Sequence, residues 1–124
     1  MKFRSKYEAN IASNLKKLKI VFGFETEKLD YTVPEKPHTY TPDFVIVRSD
    51  KTKLYIEAKG YLDALTRKKM IFVKNSNPTL DIRFMFMQDN PIRKGSKTYY
   101  SDWALKNGFK CTIGKDLPLE WLKK

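Results

Sequence analysis

Residues 42–60 read PDFVIVRSDKTKLYIEAKG, and this stretch decides the fold. Asp43 to Val47 is rich in β-branched and aromatic residues, and Lys53 to Lys59 alternates in polarity, so both read as strands. The polar run Arg48 to Thr52 between them reads as a hairpin turn, and Gly60 closes the second strand. Side chains alternate along a strand, which sends Glu57 and Lys59 to one face and Ala58 to the other. In the paired hairpin Asp43 approaches Glu57 on that face. Two converging carboxylates suit Mg²⁺, a hard cation that takes oxygen ligands, and the Ala58 carbonyl offers a further oxygen. Lys59 beside them can stabilise developing negative charge or orient an attacking water, a set suited to phosphodiester hydrolysis. The spacing by itself is short and degenerate, and on spacing alone an ordinary exposed strand face is the better reading of Glu57 and Lys59.

Working outward, residues 5–18 read as a helix, with Tyr7, Ile11, Leu15 and Leu18 at helical spacing and Ser5 and Glu8 in a capping-box pattern. Residues 20–26 look like a short strand. Residues 27–41 are polar and hold Pro34 and Pro37, so they read as an extended connector. Its stiffness resists folding back and favours exchange between protomers. Residues 63–75 read as a basic helix with Asp63 as N-cap and Asn77-Pro78 as its stop. Leu80 to Met87 alternates as a partly buried strand, Asp89 to Lys97 is a basic loop, and Thr98 to Asn107 is a helix ended by Gly108. A last strand at Phe109 to Thr112 and a helical turn at Leu119 to Lys123 complete an α/β chain around one mixed sheet.

With 124 residues there is enough chain for one domain, and 25 Lys and Arg against 14 Asp and Glu give a formal charge of +11. Charge of one sign on that scale points to a polyanionic partner, nucleic acid or anionic lipid. One cysteine, Cys111, excludes a disulfide framework and a zinc ribbon, and reads as a small buried apolar residue. One histidine, His38, with no G-x-S-x-G turn, excludes a Ser-His-Asp hydrolase. No run is long and apolar enough for a membrane span, and no apolar segment follows the basic start as in a secretory signal, so the expected location is cytoplasmic.

These residues resemble the PD-(D/E)xK nuclease superfamily and, within it, the phage endonuclease I family of Holliday-junction resolvases. The resemblance is carried by Phe3-Arg4-Ser5 with Glu8, by residues 38–44 (HTYTPDF), by Glu57-Ala58-Lys59-Gly60, by Arg67-Lys68-Lys69, by residues 80–83 (LDIR), by Lys94-Gly95-Ser96 and by Glu120-Trp121. It implies a restriction-endonuclease-like mixed sheet flanked by helices, a single nuclease domain over residues 1–124, and an intertwined, domain-swapped homodimer. It implies Mg²⁺ or Mn²⁺ as cofactor and four-way junctions and other branched DNA as substrate, cut by paired nicks. Asp43 and Glu57 match the metal-binding carboxylates and Lys59 the catalytic lysine. Glu8 matches a third acidic residue that completes the site from the partner chain. The turn between the two metal strands is longer here than in the family.

The remaining candidates are positive. Arg67, Lys68 and Lys69, on the helix after the active strand, read as a phosphate-binding ridge, against the ordinary reading of a solvated charged face. Arg93, Lys94 and Lys97 around Gly95 form a second candidate, and Arg4 and Lys6 flank Glu8 as a third. His38 reads as a phosphate contact or proton carrier. Tyr99, Tyr100, Trp103 and Trp121 read as packing residues. Two rivals stand beside the junction-cutting nuclease: a related nuclease acting on linear duplex, and a DNA-binding module without catalysis.

Overall fold

The central sheet takes its order from one long buried strand. In this computed structural model, which describes residues 2–33 and 36–123, β5 (Lys53–Lys59) pairs antiparallel with β4 (Phe44–Val47) and parallel with β6 (Asp81–Phe86). β1 (Phe22–Phe24) joins the outer edge of β4, and β7 (Cys111–Ile113) joins β6, giving the order β1-β4-β5-β6-β7. The parallel β5–β6 step needs a crossover, which α2 (Ala64–Ser76) supplies. Asp63 caps α2 by accepting the Thr66 N–H at 2.8 Å, as its sequence predicts.

Each face of the sheet buries its own apolar set. Phe44, Ile46, Leu54, Ile56, Ala58 and Met85 pack against Ile11, Ala12 and Leu15 of α1 (Lys6–Lys17) and against Trp121. Val45, Tyr55, Ile82, Phe84 and Phe86 pack on the other face against α2 and α3 (Tyr100–Lys106). Burial on both faces explains why β6 is buried from Ile82 to Phe86, where alternation led to an expectation of partial burial. On the α1 face the buried Arg48 and Arg83 share Asp81: Arg48 Nη2 donates to it at 2.9 Å and Arg83 Nε at 2.8 Å. Arg48 also donates to the Trp121 carbonyl at 2.8 Å, and the Arg83 guanidinium lies 5.0 Å from the Trp121 ring centre. Burial alone raises the Asp81 carboxyl, but the two arginines overcome it and hold it below its usual range.

Four expectations are corrected. Residues 27–41, expected as an extended connector, are extended but as paired strands: β2 (Leu29–Val33) and β3 (Lys36–Tyr40) form an antiparallel hairpin against α2. Tyr31 and Tyr40 seal it into the α2-side core, which supplies the apolar anchors that prolines and polar residues concealed. Pro34, half of the argument for a stiff connector, lies outside the described residues. The 20–26 strand is confined to Phe22–Phe24, because Glu25 turns to a φ of 53°. Cys111 is only half-buried at the sheet edge, and Tyr99, at 42% exposure, is a surface ring.

Candidate active site

The register of β4 and β5 assembles the first part of the site. Phe44 pairs with Ile56, so one step back along β4 Asp43 comes opposite Glu57. The Asp43 Oδ2 accepts the Ala58 N–H at 2.9 Å, fastening the carboxylate to the neighbouring strand. Glu57 and Lys59 share a face, as alternation predicts, with Lys59 Nζ 3.3 Å from Glu57 Oε2. β3 supplies Tyr40, whose hydroxyl donates to Glu57 Oε1 at 2.7 Å. Burial, and then the Glu57 charge, push that phenol well above its ordinary value, so it stays a donor.

α1 supplies Glu8. Ser5 caps the helix by accepting the Glu8 N–H at 3.1 Å, while Glu8 Oε1 accepts the N–H of Arg4 at 3.0 Å. This is a shifted capping box: the return bond goes to the residue before the cap, which leaves Glu8 facing the site. Arg4 Nη2 then lies 3.6 Å from Glu8 Oε2, 3.1 Å from Asp43 Oδ1 and 2.7 Å from Glu25 Oε2. Glu25 is placed by its own N–H, which donates to the Asp43 carbonyl at 3.0 Å.

The result is a polar cleft of about 410 Å³ lined by Arg4, Glu8, Tyr40, Asp43, Glu57, Ala58, Lys59 and Lys69, with Thr39 and Thr41 at its side. Asp43, Glu57 and Glu8 are 4%, 6% and 6% exposed. So much negative charge in a buried space is costly, and the Asp43 carboxyl shows it: its pKa is pushed up to about 8. Burial contributes most and Glu57 next, with Glu8 adding; the Ala58 N–H and Lys59 pull the other way. Glu8, Glu25 and Asp43 offer oxygens within 4.8 Å of one another. The donor set is all oxygen and carries an excess of negative charge, which fits a hard divalent cation.

Comparison with known proteins decides the family. The family model for phage endonuclease I matches residues 1–124. The chain is 35% identical over 123 residues to endonuclease I of Escherichia phage T7, covering 98% of this chain and 79% of that protein. It is 36% identical over 107 residues to endodeoxyribonuclease 1 of Enterobacteria phage T3, covering 86% of this chain and 68% of that one. The chain belongs to the phage endonuclease I family.

For this phage endonuclease I chain the structure sorts the positive residues expected to touch nucleic acid. Lys69 lines the carboxylate cleft and stands 5.2 Å over the Tyr40 ring. His38 and Lys68 line a neighbouring cavity of about 250 Å³, which Lys69 also borders, and His38 stacks on Tyr31 with ring centres 5.3 Å apart. Arg67 turns back to its own helix, its Nε 3.4 Å from the Asp63 carbonyl. Arg93, Lys94 and Lys97 stand exposed on the loop after β6, outside the cleft. Lys59 pairs with Phe86, so that loop leaves the sheet at the active-site end. Lys6 faces a separate cavity beside Tyr7 and Met87.

Sequence reasoning missed Tyr40 in the cleft and Glu25 beside it. Tyr40 could have been found, since it stands three residues before Asp43 in a segment that alternates like a strand. Glu25 carries no local signal; only the pairing of β1 with β4 brings it to Asp43.

Proposed function

We propose that this chain is a divalent-metal-dependent endodeoxyribonuclease that cuts branched DNA, four-way junctions in particular, by paired nicks. The observation that carries the reading is the convergence of Glu8, Asp43, Glu57 and Lys59 on one cleft in a chain of charge +11. The T3 relative's name specifies a deoxyribonuclease, which supports DNA as the substrate. Preference for junctions rests on the family resemblance. The bacterial cytoplasm is the corresponding location, and no helix among the described residues is long and apolar enough to cross a membrane.

Asp43, Glu57, the Ala58 carbonyl and Glu8 are the groups that would hold Mg²⁺ or Mn²⁺. Bound there, the ion supplies Lewis acidity to the phosphate and a more acidic water. The protein's own groups do the rest. Lys59, tethered by Glu57, offers a positive charge where a phosphate oxygen gains negative charge, or orients the attacking water. Tyr40 fixes one Glu57 oxygen and the Ala58 N–H fixes one Asp43 oxygen, so neither carboxylate must reorganise as the reaction proceeds. Water attacks phosphorus and the 3′-oxygen leaves, which gives 5′-phosphate and 3′-hydroxyl ends. Lys68, Lys69, Arg67, His38, Lys6 and the Arg93–Lys97 loop are the groups that would grip flanking phosphates, and Arg4 would join them on leaving the carboxylates it contacts.

The homodimer belongs to the same proposal. The sequence of residues 27–41, with its two prolines, reads as a stiff extended segment, which supports exchange: opened, β2 and β3 would run on as one strand into a partner. Arg4, Glu8 and Glu25 precede the connection while Asp43, Glu57 and Lys59 follow it, so each site of a swapped dimer would draw on both chains.

A synthetic four-way junction and its linear arms, incubated separately with protein and Mg²⁺, test the substrate. Equal rates favour a nuclease of linear duplex, and binding without cutting favours a module that has lost catalysis. A heterodimer of Glu8→Gln with Lys59→Ala tests the exchange. Shared sites leave one intact centre and single-strand nicking; sites built within one chain leave none.

A further inference from the structure

We infer that Arg4 is a built-in cation that occupies the carboxylate cluster in the metal-free enzyme and competes with the divalent ion for it. This rests on the metal-dependent reading above. One guanidinium nitrogen, Arg4 Nη2, makes contacts of 2.7, 3.1 and 3.6 Å with Glu25, Asp43 and Glu8. Those three residues are the ones whose oxygens cluster within 4.8 Å of one another. A single Nη2 spread over three carboxylates is a point-charge arrangement, unlike the two-bond fork with which arginine usually grips one carboxylate. A divalent ion drawn to the same oxygens meets a positive charge already seated among them.

The anatomy of Arg4 allows it to leave. Its side chain is 67% exposed although its partners Asp43 and Glu8 are 5% and 7% exposed, so the guanidinium reaches in from solvent and can return there. Its backbone stays anchored, because its N–H donates to Glu8 Oε1 at 3.0 Å. The guanidinium therefore swings without disturbing α1. Glu25 makes the shortest contact and is itself fastened to the Asp43 carbonyl, so it acts as the catch that holds Arg4 inward. The device offsets like-charge repulsion while the metal is away and sets the metal concentration at which the site fills.

Calorimetric titration of the full chain with Mn²⁺ alone, paired with thermal unfolding in EDTA and in Mn²⁺, tests the inference. Arg4→Gln is expected to bind Mn²⁺ about tenfold more tightly than wild type, within the usual range of coupling between competing ligands. It is also expected to melt lower in EDTA and to gain more from Mn²⁺. Arg4→Lys, which keeps the charge, should return toward wild-type affinity. Arg4→Met, uncharged and of similar reach, carries the same expectation if Arg4→Gln does not fold. Equal or weaker Mn²⁺ binding by a folded, uncharged variant overturns the competition and leaves the metal site standing. No Mn²⁺ uptake by wild type or by any variant overturns the metal site and the inference together.

Discussion

The Tyr40 hydroxyl donates to Glu57 Oε1 at 2.7 Å, both groups being buried, and so ties the β2–β3 hairpin to β5. Tyr40→Phe removes this donor and leaves a buried carboxylate oxygen without its partner. Loss of an outer partner of a metal-binding carboxylate lowers metal affinity or turnover by about 10–100-fold. The same change costs about 1–3 kcal/mol of stability. Junction cleavage at saturating Mg²⁺ and urea unfolding measure the two effects, and unchanged turnover would separate Tyr40 from the chemistry.

Lys59→Ala removes a cationic group tethered to Glu57. Deleting a single electrostatic stabiliser of a developing charge typically lowers turnover by about 10²–10³. Affinity for an uncut junction, measured by gel retardation in Ca²⁺, should change little, because Lys59 is one of 25 Lys and Arg residues. Turnover that survives the substitution sinks the role assigned to Lys59.

The Asp43 carboxyl, ordinarily near 3.8, titrates in the folded protein at about 8. Between these values the folded chain holds a proton that the unfolded chain has released. Stability without metal should therefore fall as pH rises from about 4 to about 8 and level off above. Asp43→Asn lacks this term and should gain on wild type across that window when both are melted in EDTA. Mn²⁺ affinity of wild type should rise over the same window, since the ion displaces that proton. A constant gap between the two melting curves would remove Asp43 as the group responsible.

Asp81 serves two buried arginines at once. Asp81→Asn leaves Arg48 and Arg83, 1% and 8% exposed, without their shared charge. Breaking a buried pair costs about 3–5 kcal/mol, and the lower end applies because Asp81 itself is one-third exposed. The Asp81 carboxyl sits below its usual range, so its contribution is present above the ordinary carboxylate pKa and is lost as pH falls through the lower folded value. Urea midpoints of the two proteins should differ at neutral pH and converge in acid.

The two hairpin strands that place Asp43 at the start of β4 and carry Glu57 and Lys59 on β5 were legible because their side chains obey a period of two and their turn is polar. The caps at Ser5 and Asp63 were legible because they act within four residues. The β2–β3 hairpin was not, since its segment lacks a glycine turn and holds two prolines, signals that read as a break in structure. Its apolar anchors, Tyr31 and Tyr40, count only against α2, a contact between elements far apart in sequence. The contacts of Arg4 with Glu25 and Asp43 were not legible, because its charge is visible in the sequence and its nearness to those acids is not. Sheet order brings those acids together, and no local pattern encodes it.

The division of the cleft between segments before residue 34 and after residue 35 has a consequence for the chain as it is made. The ribosome releases Glu8 and Glu25 first, with no Asp43, Glu57 or Lys59 to act beside them. A protease cut between β2 and β3 that separated the pieces would likewise leave each with half a set. If the proposed residues form the catalytic centre, neither a nascent chain nor a separated fragment carries a competent one. On that assignment, cutting of DNA would begin only once the chain is fully made and folded.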